Sequence, residues 1–472
     1  MLKNSLLENE LIIDELINIK NAFDLGKRRF HIQNYTNIIY YSTFLVNSDE
    51  ITQILLNFYQ TNNQDIKDYF DYFKNNIASI NVSTLTTFKE VTNAIFNGLV
   101  VFIVDDNNKA IAIDLRRYPG RSIDEPDSEK VVRGSKEGFN ENISINLALI
   151  RRRIKSDDLV VKKFEIGEYS KTLVSIVYLD QFVNKKALNI CLEKINKLNI
   201  KELTMTDKAL EELLTNRPYS PFPTVRYTER PDTVAIHLYQ GQFCIIVDTS
   251  PSVMLAPTTL FDHLQAPEEY RQTPVSGTYL RILRFIGIIL SLLLVPLWLS
   301  FYQTPVSNNI VNSLLNLEYS KLEIFIQLLI AEVSIELVRM ASIHTPNSLS
   351  QSMGLIVGII LGGIGVELGI ISEVVVLLGA LSAIGSYITP SYELSLANRI
   401  VKLILIIISY FFGFIGLLIA IVCFTFYLAT LRSFNEPYLY PLIPFNFKML
   451  LNQFIRLPYQ EEKKIKKNEK HN

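Results

Sequence analysis

The sequence predicts an α/β cytoplasmic domain of two subdomains, followed by an α-helical multipass transmembrane domain. Two observations support this fold class. Up to about residue 275, charged segments alternate with short β-branched and amphipathic runs, a pattern typical of mixed helices and strands. Beyond that point apolar runs dominate, and Ile282–Phe301 supplies the roughly 20 apolar residues that one helix needs to cross a bilayer.

Four parts are expected along the chain. Residues 1–125 and 126–275 form the two cytoplasmic α/β subdomains, residues 276–435 form a transmembrane domain of four to six crossings, and residues 436–472 form a basic cytoplasmic tail. Basic residues near membrane ends stay on the cytoplasmic side. Because such residues flank the first apolar run and fill the tail, both ends are expected in the cytoplasm. This arrangement requires an even number of crossings.

The composition argues against several classes of protein. A formal net charge of -1 argues against a nucleic-acid partner, because phosphate binding draws on a concentrated excess of Lys and Arg. The three cysteines, Cys191, Cys244 and Cys423, form neither a disulfide framework nor a CxxC metal site, which fits a reducing compartment. Glu8 and Glu10 stand where a signal peptide would be apolar, so export by that route is not expected.

The first subdomain shows local patterns of both helix and strand. Apolar spacing predicts a helix over Leu6–Ile19, and aromatic and β-branched residues predict a strand over Tyr35–Val46. Leu99–Val104 and Ala110–Leu115 flank the polar segment Asp105–Lys109, which is the pattern of a β-hairpin.

The second subdomain follows a polar connector. A helix begins near Asn140 and carries Ile143, Leu147, Ile150 and Ile154 on one face. The strands expected after it are Thr172–Leu179, Thr233–Leu238, Phe243–Val247 and Val253–Ala256, and the helices expected between the first two strands are Lys186–Leu198 and Asp207–Leu214. Gly241-Gln242 is expected to form the turn of a late hairpin.

Four further apolar segments follow the first expected crossing. Leu322–Ile343 is interrupted by charged residues. Met353–Ile371 and Val374–Ile388 are separated by only two residues, so they form either two crossings or a shallow hairpin. The last segment, Leu403–Leu431, is longer than one crossing requires and contains Gly413, so it is expected to tilt, kink or split.

Charged residues inside the apolar segments are the first candidates for a functional site. Each costs about 2.5–3.5 kcal/mol in a bilayer and normally faces a bundle interior or water. Glu332, Glu336 and Arg339 are spaced to share one helix face, where Glu336 and Arg339 can pair. These residues form an ion pair that joins helices, an ion pathway, or the polar stripe of an interfacial helix. Glu367 either faces a pore or is satisfied by packing.

A series of glycines is the second candidate. Gly354, Gly358 and Gly362 recur every four residues, which predicts a smooth helix ridge that another backbone can approach closely. Gly365 and Gly369 extend this small-residue surface. The ridge is expected to pack helices within or between subunits, or to line a pore.

The third candidate is the loop Arg133–Phe139, which is basic and precedes a helix whose first amides are unpaired. Such a loop can hold an anion. Alternatively, Gly134 and Gly138 supply unusual backbone angles to a hinge between the subdomains.

The helix after this loop ends in Arg151, Arg152 and Arg153, where positive charge suits the carbonyl end. Capping in contact with water is expected, and contact with an acidic partner is the alternative. The five histidines lack metal-ligand spacing, and no hydrolase motif occurs. The chain is therefore expected not to be an enzyme, with no cofactor and no metal.

Several motifs, taken together and in order, make the chain resemble the A subunits of bacterial spore germination receptors. These motifs are Asp114–Asp127, Val132–Phe139, Asn146–Ile154, Pro221–Pro223, Tyr227–Asp232 and Tyr392–Leu394. Three others favour a branch of the family that is linked to amplifying the germination response: Ser250–Met254, Gly277–Arg281 and Tyr440–Asn446.

This resemblance implies a multipass protein of the spore inner membrane with its amino-terminal domain on the spore core side. It also implies that the subunits form homo-oligomers, as a ring, and conduct ions during germination. Receptor versions work with a transporter-like B subunit that binds the nutrient and with a lipoprotein C subunit, and the amplifying branch has a small membrane partner. The implied partners are further copies of the chain, other inner-membrane germination proteins and the lipid bilayer.

The leading hypothesis is an oligomeric, ion-conducting membrane subunit that promotes or amplifies germination. The first alternative is a non-conducting membrane scaffold of a germinant receptor complex. The second is a membrane-tethered nucleotide-binding regulator that uses the loop Arg133–Phe139. Ion flux across reconstituted liposomes separates the first two hypotheses, and calorimetric titration with phosphate-bearing ligands tests the third.

Overall fold

The protein divides into two compact units. The computed structural model describes residues 1–32, 35–60, 69–77, 79, 81–116, 129, 134–215, 217, 219–303, 322–344 and 358–458. The first unit, called here the α/β unit, comprises Met1–Pro218 and Val225–Thr258. The second, called the helical unit, comprises Tyr219–Thr224 and Thr259–Asn472.

The α/β unit contains the same order of helices and strands twice. The first series is α1 (Leu6–Leu16), β1 (Leu25–Ile32), β2 (Tyr35–Ser42), α2 (Ser48–Gln60), α3 (Tyr69–Asn75), β3 (Val82–Leu85), α4 (Phe88–Phe96), β4 (Val100–Val104) and β5 (Ala110–Ile113). The second series is α5 (Ile143–Arg153), β6 (Leu159–Ile166), β7 (Thr172–Leu179), α6 (Lys185–Lys197), α7 (Thr206–Leu214), β8 (Arg226–Thr228), α8 (Pro231–Tyr239), β9 (Phe243–Val247) and β10 (Val253–Ala256).

Each series forms one five-stranded antiparallel sheet. The strand orders are β1-β2-β4-β5-β3 and β6-β7-β9-β10-β8. Corresponding strands take corresponding places, so the unit is built from two copies of one topology. The α/β part of the predicted fold class is confirmed, and the repeat is a feature that the sequence patterns did not reveal.

The first sheet is covered by helices on both faces. Val101 and Ile103 of β4 lie in a buried cluster with residues of α1 and α4. Phe102 and Val104 point the other way, into a cluster with α2 and α3. Because alternate residues of a strand face opposite sides of a sheet, two covered faces explain why Val100–Val104 is apolar throughout.

The second sheet confirms the predicted apolar face of α5. Ile143, Leu147, Ile150 and Ile154 are all buried in one cluster with strand residues such as Val177. The side chain of Asn142 caps the helix by accepting hydrogen bonds from two backbone amides of its first turn.

The strand predicted over Thr233–Leu238 is wrong, because these residues lie in α8. Pro231 occupies the first turn, where its missing N–H and fixed φ suit a helix start. Val234 and Leu238, four residues apart, enter the same cluster as α5. The predicted hairpin turn at Gly241-Gln242 is also wrong, since Gly241, with φ 97°, follows α8 and leads into β9.

The helical unit consists mainly of long apolar helices. Its elements are the short 3-10 helices Asp262–Leu264 and Pro267–Arg271, α9 (Pro274–Gln303), α10 (Ile324–His344), a π-helix at Gly358–Ile364 that continues as Gly365–Glu367, α11 (Glu373–Tyr387), α12 (Tyr392–Thr430), the strand pair β11 (Arg432–Ser433) and β12 (Glu436–Pro437), and α13 (Phe447–Phe454). Within the described part of the chain, α9 and α12 are long and apolar enough to cross a bilayer.

The split expected in the last apolar segment occurs at Gly413 in α12. Its backbone has φ 60° and ψ -155°, which is not helical and is almost restricted to glycine. Near the break, a Cβ on Gly416 would lie 2.2 Å from the Cβ of Phe412. Both glycines therefore have a steric reason to be present, and α12 has a first half before Gly413 and a second half after it.

The second half of α12 runs antiparallel to α9. Phe414 stacks on Phe301 near the end of α9, with ring centroids 5.2 Å apart. Leu428, at the other end of this half, lies in a cluster with Phe261, whose ring centroid is 6.3 Å from that of Phe285 near the start of α9.

The first half of α12 runs in the same direction as α9. Near its start, the hydroxyl of Ser395 donates to the carbonyl of Ser386 at the end of α11, where Gly385 approaches Gly287 of α9. Toward its end, Ile406 belongs to a cluster with Val295 in the later part of α9. We conclude that α12 is a helical hairpin that turns at Gly413.

Candidate functional site

Four polar contacts join α10 and the residue that precedes it, Glu323, to the first half of α12. Residue numbers rise along α10 as they fall along α12, because these helices are antiparallel. We call this set the polar ladder; its rungs are Glu323 with the Tyr410 hydroxyl (2.5 Å), Glu332 with Lys402 (2.5 Å), Glu336 with Arg399 (2.5 Å), and the Arg339 guanidinium 4.9 Å from the centroid of the Tyr392 ring.

The rung between Glu332 and Lys402 is the most deeply buried ion pair of the ladder. The two side chains are 8% and 4% exposed. Lys402 Nζ also donates to Ser382 Oγ of α11 at 3.0 Å, and that hydroxyl donates to the carbonyl of Ser291 in α9 at 3.0 Å. Polar contacts that begin at this lysine thus connect four helices. The attraction between the two charges offsets the desolvation free energy of burying them.

The rung between Glu336 and Arg399 is more accessible. The glutamate side chain is 34% exposed and the arginine 13% exposed. Arg399 also donates to the backbone oxygen and the hydroxyl of Ser395, one turn earlier in α12. Such a pair contributes less than a fully buried one, because water screens it.

The expectation that Glu336 pairs with Arg339 is wrong. The structure does place Glu332, Glu336 and Arg339 toward α12, as their spacing predicts, but Glu336 takes Arg399 as its cation. Arg339 instead lies over the face of Tyr392, where the ring quadrupole attracts a cation.

The partners Arg399 and Lys402 were missed in the sequence. A signal was present: these two basic residues are three positions apart, and Glu332 and Glu336 are four positions apart, so each pair lies on one helix face. Antiparallel packing of two such faces brings opposite charges together at both levels.

Glu367 differs from the carboxylates of the ladder. It ends the helical turn after the π-helix and is exposed. Among the residues that the structure describes, it has no hydrogen bond or ion pair. The described residues therefore do not satisfy Glu367 by packing, and the pore-facing alternative remains a proposal.

Within the described part of the chain, the glycine series makes no close contact with another helix backbone, and its role in packing between subunits or in lining a pore stays a prediction. Gly354 lies outside the described residues. Gly358 and Gly362 lie in a π-helix, and their four-residue spacing keeps them on one side of it. A Cβ on Gly358 or Gly369 would meet no described atom within 4 Å, and one on Gly365 would lie 3.2 Å from a backbone oxygen of the same segment.

Close helix packing occurs instead between α9 and α11, at two glycines that were not singled out in the sequence. A Cβ on Gly385 would lie 2.2 Å from the carbonyl oxygen of Gly287. A Cβ on Gly287 would lie 3.1 Å from a side-chain carbon of Ile388. Glycine is required here because the two backbones touch.

The loop before α5 is held by ion pairs and hydrogen bonds. Arg133 lies outside the described residues, and Gly134 has φ 142°, a backbone angle that favours glycine. The fully buried Arg230 donates to the carbonyl of Ser135 at 3.0 Å. This arrangement agrees with a fixed loop; the role of Gly134 and Gly138 as a hinge stays a prediction.

The three arginines that end α5 all have acidic partners, and the expectation of capping in contact with water is wrong for the buried Arg151, whereas Arg152 is exposed and Arg153 donates to the carbonyl of Leu149 at 3.2 Å. Arg152 and Arg153 bind Glu137 of the loop at 2.9 and 2.7 Å. Arg151 is 2% exposed and pairs with Asp24, which precedes β1. Arg151 therefore connects the second series of elements to the first, and its two neighbours already neutralise Glu137 and are less available to an anion.

No described group of three or more His, Cys, Asp or Glu side chains is arranged to hold a metal ion. Two of the cysteines are buried in the α/β unit. Burial raises the pKa of the Cys191 thiol to about 12, and it also raises the pKa of Cys244. Because the thiolate is the reactive form, both side chains are inert at neutral pH.

Comparison with known proteins identifies the family. The model of the Bacillus/Clostridium GerA spore germination protein family matches residues 13–468. The chain belongs to this family. The resemblance read from the motifs is confirmed, and a role of this GerA family chain in spore germination is supported by its membership.

Two curated relatives cover nearly the whole GerA family chain. Stage V sporulation protein AF of Bacillus subtilis (strain 168) is 42% identical over 453 residues, which are 95% of this chain and 92% of that protein. The uncharacterized membrane protein YfkQ of the same organism is 29% identical over 459 residues, which are 96% of this chain and 88% of that protein. The first relationship confirms the branch that the motifs at Ser250, Gly277 and Tyr440 favoured.

One solved structure also resembles the chain. It is the crystal structure of the N-terminal domain of the A subunit of the Bacillus megaterium spore germinant receptor GerK3. The sequence identity is 28% and the TM-score is 0.43, and the match covers 54% of this chain and 96% of that one.

Proposed function

We propose that this chain is a membrane subunit of the spore germination machinery, and that several copies assemble and conduct ions to promote or amplify germination. It acts without catalysis, cofactor or metal. Membership of a germination family supports the process. The observation that carries ion conduction is the exposed Glu367, which has no partner among the described residues and lies near Gly363 and Gly369, whose surroundings within the described chain are open.

Six crossings of the spore inner membrane are the topology that best fits the helical unit. The starts of α10 and α11 lie in one cluster with Val295 and Leu299, near the end of α9. Both helices therefore run antiparallel to α9. We expect the chain between α10 and α11 to return across the bilayer, and the two halves of α12 add two crossings. An even number leaves the α/β unit and the basic tail together on the spore core side.

The polar ladder has a structural role in this proposal. Its carboxylates are bound within the chain, to lysine, arginine or a tyrosine hydroxyl, so they hold α10 against α12 and leave little free charge between the helices. The ion path is then expected on the outer surface, where copies of the chain meet around Glu367 and the segment from Gly358 to Gly369.

A non-conducting membrane scaffold is the second candidate. The same pairing within the ladder favours it, because carboxylates that are already bound to lysine and arginine offer little free charge to a passing ion. Its contacts would then be with other inner-membrane germination proteins. The nucleotide-binding alternative has less support, since Arg152 and Arg153 already bind Glu137.

Ion flux through reconstituted liposomes tests the proposal. The purified full-length protein is inserted into vesicles that contain a potassium-sensitive dye. We expect flux from the unchanged protein, a reduced flux for Glu367→Gln, and wild-type flux for the control Glu168→Gln, which changes an exposed carboxylate of the α/β unit. Assembled protein without flux would support the scaffold and contradict conduction.

A further inference from the structure

The segment after the α12 hairpin carries an exposed apolar surface. Its helix, α13, has no fully buried residue. We call this surface the α13 patch; its exposed fractions range from 38% to 66%, and its residues are Leu442, Ile443, Phe445, Phe447, Leu451 and Ile455. Apolar side chains concentrated in so short a segment usually mark a surface that is covered by a partner or by lipid.

The patch is fixed at the beginning of α9. The Phe454 ring centroid lies 4.6 Å from that of Phe285, and Arg281 donates to the carbonyl of Asn452 at 2.8 Å. The backbone amide of Arg456 donates to the hydroxyl of Thr278 at 3.0 Å. These contacts tie the inner side of α13 to the first turns of the helix that is proposed to enter the bilayer, and leave the α13 patch on the outer side.

Basic charge accompanies the patch. Lys448 is exposed next to Phe447, and the sequence continues into the lysine-rich stretch Lys463–Lys470. A helix with one apolar face and nearby lysines lies in the membrane interface, where apolar side chains reach the acyl chains and lysines meet anionic headgroups.

We infer that the α13 patch lies in the headgroup layer of the bilayer that α9 crosses and binds anionic phospholipid. This inference rests on the proposed membrane function. The aromatic residues and the lysines favour a lipid surface over a second copy of this chain, because anionic headgroups supply the negative charge that an identical basic patch lacks.

Tryptophan quenching by brominated lipids tests the inference on the full-length protein in vesicles. The native chain has one tryptophan, Trp298 in α9. A second protein carries Trp298→Phe with Phe447→Trp, and a third carries Trp298→Phe with Tyr169→Trp, a control at an exposed site of the α/β unit. For the Phe447→Trp protein we expect quenching by bromine near the headgroup end of the acyl chain to exceed quenching by bromine at the chain end about twofold.

The possible outcomes separate this inference from the proposed function. Quenching of Trp298 without quenching of the Phe447→Trp protein would overturn the lipid contact and leave the membrane assignment intact. Absence of quenching at Trp298 would overturn the membrane assignment itself. If the Phe447→Trp protein is protected from quenching and this protection disappears on dilution into excess lipid, a second copy of the chain covers the patch and the lipid contact is overturned. Equal quenching in neutral and anionic vesicles would overturn the anionic preference. The Tyr169→Trp protein is expected to remain unquenched.

Discussion

Replacing Lys402 by methionine is expected to destabilise the helical unit strongly. Methionine keeps much of the side-chain volume but leaves Glu332 buried without its cation. One carboxylate oxygen loses the ammonium group at 2.5 Å, and the other already lacks a hydrogen-bond partner. Removing one member of a buried ion pair costs about 3–5 kcal/mol, because the remaining charge is neither paired nor hydrated.

The double substitution Lys402→Met and Glu332→Met distinguishes the net contribution of the ion pair from the cost of leaving one buried charge unpaired. Replacing both charges by apolar residues of similar volume is about neutral, so the double variant is expected to be roughly 3 kcal/mol more stable than Lys402→Met alone. Arg399→Met provides a matched control on the next rung. Since Glu336 is 34% exposed, water stabilises its carboxylate and the expected loss is about 1 kcal/mol.

The free energy of unfolding can be measured by denaturant titration of the full chain in mild detergent. Trp298 is the only tryptophan and lies in α9, so its emission reports the helical unit. If Lys402→Met costs no more than the double substitution, the ion pair does not stabilise the bundle and the assigned role of the ladder fails.

Three further substitutions test other contacts. Gly413→Ala is expected to cost about 1–3 kcal/mol by the same Trp298 emission, because alanine does not readily adopt the backbone angles of the break. Gly363→Ala is its neutral control, since the added Cβ would meet no described atom within 4 Å. Gly385→Ala is expected to cost about 1–3 kcal/mol by overpacking α9 against α11, and an unchanged midpoint would contradict the close approach. Asp24→Asn leaves Arg151 buried without a carboxylate, so circular dichroism should show a loss of about 3–5 kcal/mol in the α/β unit.

Local patterns predicted much of the α/β unit because the signals lie within single elements. The hairpin of β4 and β5 is visible in two apolar runs around a polar turn, and the buried face of α5 is visible in its helical spacing. The strand predicted over Thr233–Leu238 failed because β-branched residues outweighed the stronger local signal, a proline at the start of a helix. The repeated topology depends on pairing between distant strands and has no local signature.

The polar ladder was half predictable. Glu332 and Glu336 are conspicuous because a charge inside an apolar run is costly. Arg399 and Lys402 come just before the apolar segment read from the sequence, where basic residues usually mark the flank of a crossing. The structure shows that α12 begins earlier, at Tyr392, and that both residues face α10, where they pair with Glu336 and Glu332.

The structure separates two roles that the sequence assigned jointly to the charged residues of the helical unit. An ion that passed between α10 and α12 would have to displace Lys402 from Glu332, which costs several kcal/mol in a buried site. An ion that approached Glu367 would meet an exposed carboxylate with no described partner to displace. Substitutions in the ladder should therefore change the amount of folded protein, whereas substitutions of Glu367 should change the flux that each folded assembly carries.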